Sequence, residues 1–263
     1  MLFSHYDRYQ YAVNPLVEVI CQLRFPAILS IGAKEPAEFQ DAVRRDFPRY
    51  AANRETPAPT VKGAGTAAPT LEQAPTVINY SFVSADGLWK LNLTNNFIAI
   101  STLRYQRWED FTRHFDKPLA SFVQIYQPAF FERIGLRYVN AFSRKALNVE
   151  GTDWSDLIQP AFLGVLAERD AEEGRVTKCS LDVEMGLEDS AHLKLHAGPG
   201  LLGNGQKDPE VKFILDNDFS VGGTLSAAQV PEQLDALHHH AVRLFRGALS
   251  SELHTAMGAT PMV

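Results

Sequence analysis

The chain has 263 residues, of which 45% are hydrophobic and 21% charged, and it carries a net charge of −6. These proportions exclude disordered and fibrous classes and supply enough apolar surface for a sizeable core, in one large domain or two medium ones. The acidic excess lies after residue 130 and argues against general nucleic-acid binding, which needs a basic face.

Two cysteines, Cys21 and Cys179, fall inside alternating apolar patterns and read as small buried hydrophobes rather than a disulfide framework. Met1 to Tyr11 lacks the basic segment and apolar run of a signal peptide, and no run of apolar residues is long enough to span a bilayer. The expected compartment is the cytoplasm, with no membrane contact.

In chain order, the alternation of Val17, Val19, Cys21, Leu23 and Phe25 predicts a strand, introduced by Asn14-Pro15 and closed by Pro26. Phe39, Ala42, Val43 and Phe47 predict a helix over 35–47 with Pro36 in its first turn. The stretch 51–76 is rich in Ala, Pro, Thr and Gly, has no periodicity, and predicts a flexible loop. Three strands follow, centred on Tyr80, Leu91 and Ile100, the last reaching Tyr105. Asp86-Gly87 and Asn95-Asn96 as turns make them an antiparallel meander. A helix over 108–126 carries an aromatic stripe that reads as core, with Pro118 expected to kink it.

At Phe131 the series restarts. FERIGLRYVNAFS (131–143) predicts a strand whose Leu136-Arg137-Tyr138 echoes Leu23-Arg24-Phe25. A helix over 153–166, a polar loop over 167–175, strands over 176–185, 191–197 and 211–215, and a closing helix over 231–257 complete the pattern. The class is therefore α+β: two pseudo-repeated β-α-β-β-β-α units, 1–130 and 131–263, with antiparallel sheets and helices packed on one face. The order resembles the duplicated saddle of TATA-binding-protein-like folds, an analogy silent on function.

The polar face of the second-half sheet gathers the residue types of acid-base or metal chemistry. A hairpin closed around 186–190 is expected to set Glu184 opposite His192, Asp182 opposite Lys194 and Ser180 opposite His196, with Asp216 on the next strand; a one-residue slip dissolves the cluster. Arg24, Arg104 and Arg137, each preceded by Leu and followed by Phe or Tyr, are candidates for an anion-binding groove, and Lys194 in the sheet patch is a further binding candidate. His238-His239-His240 sits mid-helix, where side chains about 100° apart cannot converge on one ion, and reads as a solvated face. The Gly-rich run 198–205 lacks the strand-before, helix-after setting of a phosphate cradle and reads as a hairpin loop. No cofactor or metal site is expected.

The run NPLVEVICQLRF from Asn14 to Phe25, RIGLRYVN from Arg133 to Asn140, Leu215-Asp-Asn-Asp218 and Leu237-His238 with Phe245 together resemble a sporadically distributed, uncharacterised bacterial family of about this length. The resemblance implies no activity, cofactor or catalytic residue. Patchy distribution implies a component of a multi-protein, defence- or mobile-element-associated system.

Three functional readings follow. The first is a non-enzymatic binding or assembly protein that engages a protein partner through the sheet face or a helix, with self-association through the heptad-like stripe of the last helix. The second is a metal-assisted hydrolase or nuclease built on His192, His196, Asp182 and Glu184. The third is a ligand- or nucleotide-sensing module.

Overall fold

The computed structural model describes residues 2–4, 9–55, 60–62, 70–72, 76–203 and 208–261. The main sheet is built from β1 (Leu16–Arg24), β2 (Arg49–Glu55), β3 (Val77–Val83), β4 (Trp89–Leu93), β5 (Phe97–Thr102), β6 (Phe131–Phe142), β7 (Leu181–Gly186), β8 (Ala191–Gly200) and β9 (Lys212–Leu225). Its spatial order is β7-β8-β9-β6-β1-β5-β4-β3-β2, with every neighbouring pair antiparallel. The leading strands of the two halves, β1 and β6, pair at the centre, and each meander begins at a sheet edge and ends beside them. The main helices are α1 (Ala37–Val43), α2 (Trp108–Tyr126), α3 (Val230–Ala248) and α4 (Ser251–Ala256). The fold class is α+β, with α2 and α3 covering one face of the sheet.

Alternation decides which side is covered. Val19, Cys21 and Leu23 of β1, Ile134, Leu136 and Tyr138 of β6, and Leu215, Phe219 and Val221 of β9 point towards the helices and are buried. One core cluster runs through both halves. Phe25 and Phe122 lie 4.8 Å apart by ring centroids, and Phe131 packs against both. The α2 stripe is buried at Trp108, Phe111, Phe115 and Phe122, and the helix continues through Pro118 to Tyr126. Cys21 is fully buried, and burial pushes its thiol pKa up; both cysteines are free.

Several elements differ from expectation, each for a local reason. Part of the expected loop 51–76 is sheet: β2 pairs with β3 from Arg49↔Val83 to Glu55↔Val77. This edge strand exposes its side chains at 51–54, so its backbone hydrogen bonds need no apolar alternation to announce them. Thr60–Lys62 and Thr70–Glu72 form a two-stranded ladder; 56–59, 63–69 and 73–75 lie outside the described residues. The expected helix over 153–166 is one α-helical turn, Trp154–Leu157, followed by 3₁₀ turns. Pro160 and Gly164, at φ +56°, interrupt it. The closing helix divides at Leu249, which is extended and bridges to Ile158; Ser250 then caps α4. The stripe that suggested self-association, Leu234, Leu237, Ala241, Leu244 and Ala248, is buried within the chain's own core.

The Gly-rich run begins inside β8, which pairs Gly198, Pro199 and Gly200 with Ile214, Phe213 and Lys212; residues 204–207 lie outside the described residues. Gly198 has φ +154°, and a Cβ there would lie 2.5 Å from the Cys179 carbonyl oxygen. Gly198→Ala is therefore expected to cost roughly 1–3 kcal/mol, from backbone strain and displacement of the 179–180 segment. An unchanged denaturation midpoint would contradict this account.

Among the described residues, no helix is long and apolar enough to cross a membrane.

Candidate functional site

The open sheet face carries the residues singled out from sequence, in a different register from the one expected. Asp182 lies opposite His196, Glu184 opposite Lys194, and Gly186 opposite His192. The pairing is displaced by two residues from the expected one, because β7 runs on to Gly186, which pairs with His192 and leaves a tighter turn. His196 Nδ1 is 2.7 Å from Asp182 Oδ1, and Lys194 Nζ donates to Glu184 Oε1 at 2.8 Å. His192 faces a glycine and takes no part in either pair.

The next strands continue an alternation of charge. Asp216, expected to join the histidines, instead accepts from Arg137 Nε at 2.7 Å, and Asp218 accepts from Arg133 at 2.8 and 2.9 Å. These bonds raise the Arg137 guanidinium above its ordinary value. Across the sheet, Lys194 lies between Glu184 and Asp218, and His196 between Asp182 and Asp216, so basic positions of β8 alternate with acidic ones of β7 and β9. Asp182 and Glu184 are each 72% exposed, and exposed pairs of this kind contribute only ~0–1 kcal/mol. No group of three or more His, Cys, Asp or Glu placed to hold a metal occurs among the described residues.

The three-arginine groove does not assemble. Arg24 pairs across the ladder with Arg133, and Arg137 is engaged by Asp216. β5 ends at Thr102, so Arg104 lies in the connector to α2, on the helix side of the molecule.

That connector borders a cavity of about 600 Å³ between the sheet and the two long helices. Leu16, Tyr138, Asn140 and Asn217 form its sheet side. Leu103 to Trp108 contribute one wall, and His238, Ala241, Val242, Phe245 and Arg246 of α3 the other. Tyr9–Tyr11, which pairs with Ala259–Pro261, closes a further side. Asn14 completes the lining with an Asx-type bond from Leu16 N–H to Asn14 Oδ1, at 3.0 Å.

The aromatic side chains around the cavity are interlocked. Trp108 stacks on His238 with centroids 4.4 Å apart and planes 7° apart, while Trp108 Nε1 donates to Asp235 at 2.6 Å. Tyr138 Oη is 2.7 Å from His238 Nδ1, and Tyr105 meets Tyr138 edge-on at 5.8 Å. Tyr11 packs against Phe245, and burial, opposed by the nearby Arg246 charge, pushes its phenol up to about 12.

The electrostatics of this lining set it apart from the rest of the chain. Three arginines, Arg104, Arg107 and Arg246, border the cavity, and among the described residues no Asp or Glu does. Arg107 lies 4.0 Å from Asp110, at the limit of an ion pair, and among the described residues no ion pair engages Arg104. On the sheet side Asn140 Nδ2 donates to the Leu215 carbonyl at 3.1 Å. Asn217 is completely buried, and neither its amide nitrogen nor its oxygen has a hydrogen-bond partner among the described residues. Leaving such a buried amide unmet costs about 1–3 kcal/mol, a cost that a water or a ligand entering from the cavity would remove.

Sequence reasoning missed Asn217 because Asp216-Asn217-Asp218 has the composition of a turn, and the third meander strand was ended at Leu215. The signal was nevertheless present: Leu215, Asn217, Phe219 and Val221 continue the period-two pattern, which puts Asn217 in an inward position. The His238-239-240 expectation needs a correction of its own. The three side chains do diverge, but only His239 is exposed; His238 is buried in the cavity wall, and His240 Nε2 contacts Asp189 at 2.6 Å.

The sequence matches no protein-family model and no curated protein, and the functional argument therefore rests on the geometry of this cavity.

Proposed function

We propose that this protein is a binding component that takes a small anionic ligand in the cavity between the sheet, α2 and α3, as part of a multi-protein bacterial system. The observation that carries the reading is the lining's charge: Arg104 and Arg107 stand exposed at its rim and no carboxylate lines it among the described residues, on a chain whose net charge is −6. Like charges brought together around a cavity repel, and an arriving anion relieves that repulsion while making charge-assisted, often bidentate, bonds to guanidinium groups. The volume falls within the range of small-molecule sites, and the mixture of aromatic walls with a few polar groups is their usual composition. This reading favours the sensing module over the hydrolase, whose residues the observed register divides into separate surface pairs.

The test is ligand-dependent thermal stabilisation against a panel of small organic and inorganic anions, with neutral and cationic compounds beside them. An anion at one hundred times its Kd is expected to stabilise by about 2.7 kcal/mol. Arg104→Ala/Arg107→Ala, at two exposed positions, is expected to remove most of that shift without lowering the unliganded Tm. Stabilisation by neutral or cationic compounds alone would contradict the proposal.

A further inference from the structure

We infer that the anion is a nucleoside monophosphate, or a molecule of that chemical class: a flat heterocycle held at the sheet side of the cavity, with a phosphate held by the arginines. This inference rests on the anion-binding reading above and adds a ligand class to it.

The first ground is the separation of two kinds of recognition within one cavity. Arg104 and Arg107 are exposed at its rim, whereas Asn217 belongs to the central region of the sheet and is completely buried. A carboxamide offers a donor and an acceptor side by side. Its complement must do the same, as the cis-amide and amidine edges of nucleobases do. A carboxylate accepts only, and placed against Asn217 it would satisfy Nδ2 and leave Oδ1 facing like charge; the tetrahedral oxygens and hydroxyls of inorganic phosphate do not present a donor and an acceptor in one plane as the carboxamide does. An inorganic anion therefore accounts for the rim but not for the buried amide. The terminal torsion of asparagine is broad, so the amide plane can rotate about the Cβ–Cγ bond to align with an entering edge.

The second ground is the shape of what lies between. Tyr105, Trp108, Tyr138 and His238 are already ordered by mutual stacking and by the Tyr138–His238 hydrogen bond. Rigid aromatic walls favour a flat ring, which stacks without selecting one base strongly over another. Asn140, across the ladder from Leu215 and one inward position from Asn217, adds a second carboxamide to the same side. The cavity's about 600 Å³ accommodates a base, a sugar and one phosphate together.

Isothermal titration of the full chain with the four common ribonucleoside 5′-monophosphates, their nucleosides and inorganic phosphate tests this directly. At least one monophosphate is expected to bind tenfold or more tightly than both its nucleoside and phosphate. Asn217→Leu is expected to weaken that monophosphate at least tenfold while leaving phosphate binding unchanged; Arg104→Ala/Arg107→Ala should weaken both together. If phosphate binds as tightly as every monophosphate, or if folded Asn217→Leu binds the monophosphate as wild type does, the ligand class is wrong while anion binding stands. If no anion binds at all, both proposals fall. Should Asn217→Leu not fold, the wild-type comparison of monophosphate with phosphate decides alone.

Discussion

Asn217→Leu is expected to raise the thermal stability of the unliganded protein by roughly 3–9 °C, through the removal of a buried donor and acceptor worth about 1–3 kcal/mol. A buried polar residue in an apolar sheet position is usually replaced at a cost, because its partner is left unmet. Here no partner is left, since neither amide atom of Asn217 is hydrogen-bonded among the described residues. Leucine also matches the apolar series of Leu215, Phe219 and Val221 on the same strand face; it shares the branched outline of asparagine but is bulkier, and the adjoining cavity leaves room for its methyl groups. The gain would be accompanied by loss of ligand affinity, the usual relation between a binding group and the stability it sacrifices. Differential scanning calorimetry of wild type and variant decides the matter. A lower Tm would show that the amide is satisfied in solution, for example by ordered water, and would remove it as a sign of function.

Phe131→Ala is expected to have the opposite and larger effect, a loss of about 3–5 kcal/mol. Phe131 opens β6, is fully buried, and packs against Phe25 from the first half and Phe122 of α2. Truncating it therefore leaves a void at the junction of the two halves, where β1 and β6 hold the sheet together. Because one core cluster spans the chain, far- and near-ultraviolet signals should shift together in denaturant titration, with an unchanged slope. Two separated transitions, only one of them moved by the variant, would mean that the halves are independently stable. Asp182→Asn on the open face is the control, expected to change stability by less than ~1 kcal/mol.

The two residues show how differently site and core were written into the chain. The strand that Phe131 opens was legible at once, because Ile134, Leu136 and Tyr138 alternate and the run repeats an earlier motif; Phe131 itself is out of phase with that alternation, and only its packing against Phe25 and Phe122 makes it core. Asn217 was obscured by its neighbours, since Asp-Asn-Asp is also how turns are spelled, and only its ladder partner Tyr138 makes it a central-strand residue. Arg104 was misplaced for a related reason. Its Leu-Arg-Tyr setting copied that of Arg137, but β5 stops two residues earlier, so one arginine belongs to the sheet and the other to the cavity rim.

The sequence by itself determined the class, the face of each central strand that would be buried and the aromatic stripe of α2, because these depend on periodicities of two and 3.6 residues that local order expresses directly. Tertiary structure alone decided the rest. It joined β1 to β6 as one sheet, added β2 through backbone bonds that leave no side-chain signature, and set the β7–β8 register that disperses the histidine–carboxylate cluster. It also drew Arg104, Arg107 and Arg246, from segments more than a hundred residues apart, around a buried amide. Contacts of that range depend on how the sheet closes under its helices, and no local pattern in the chain encodes that.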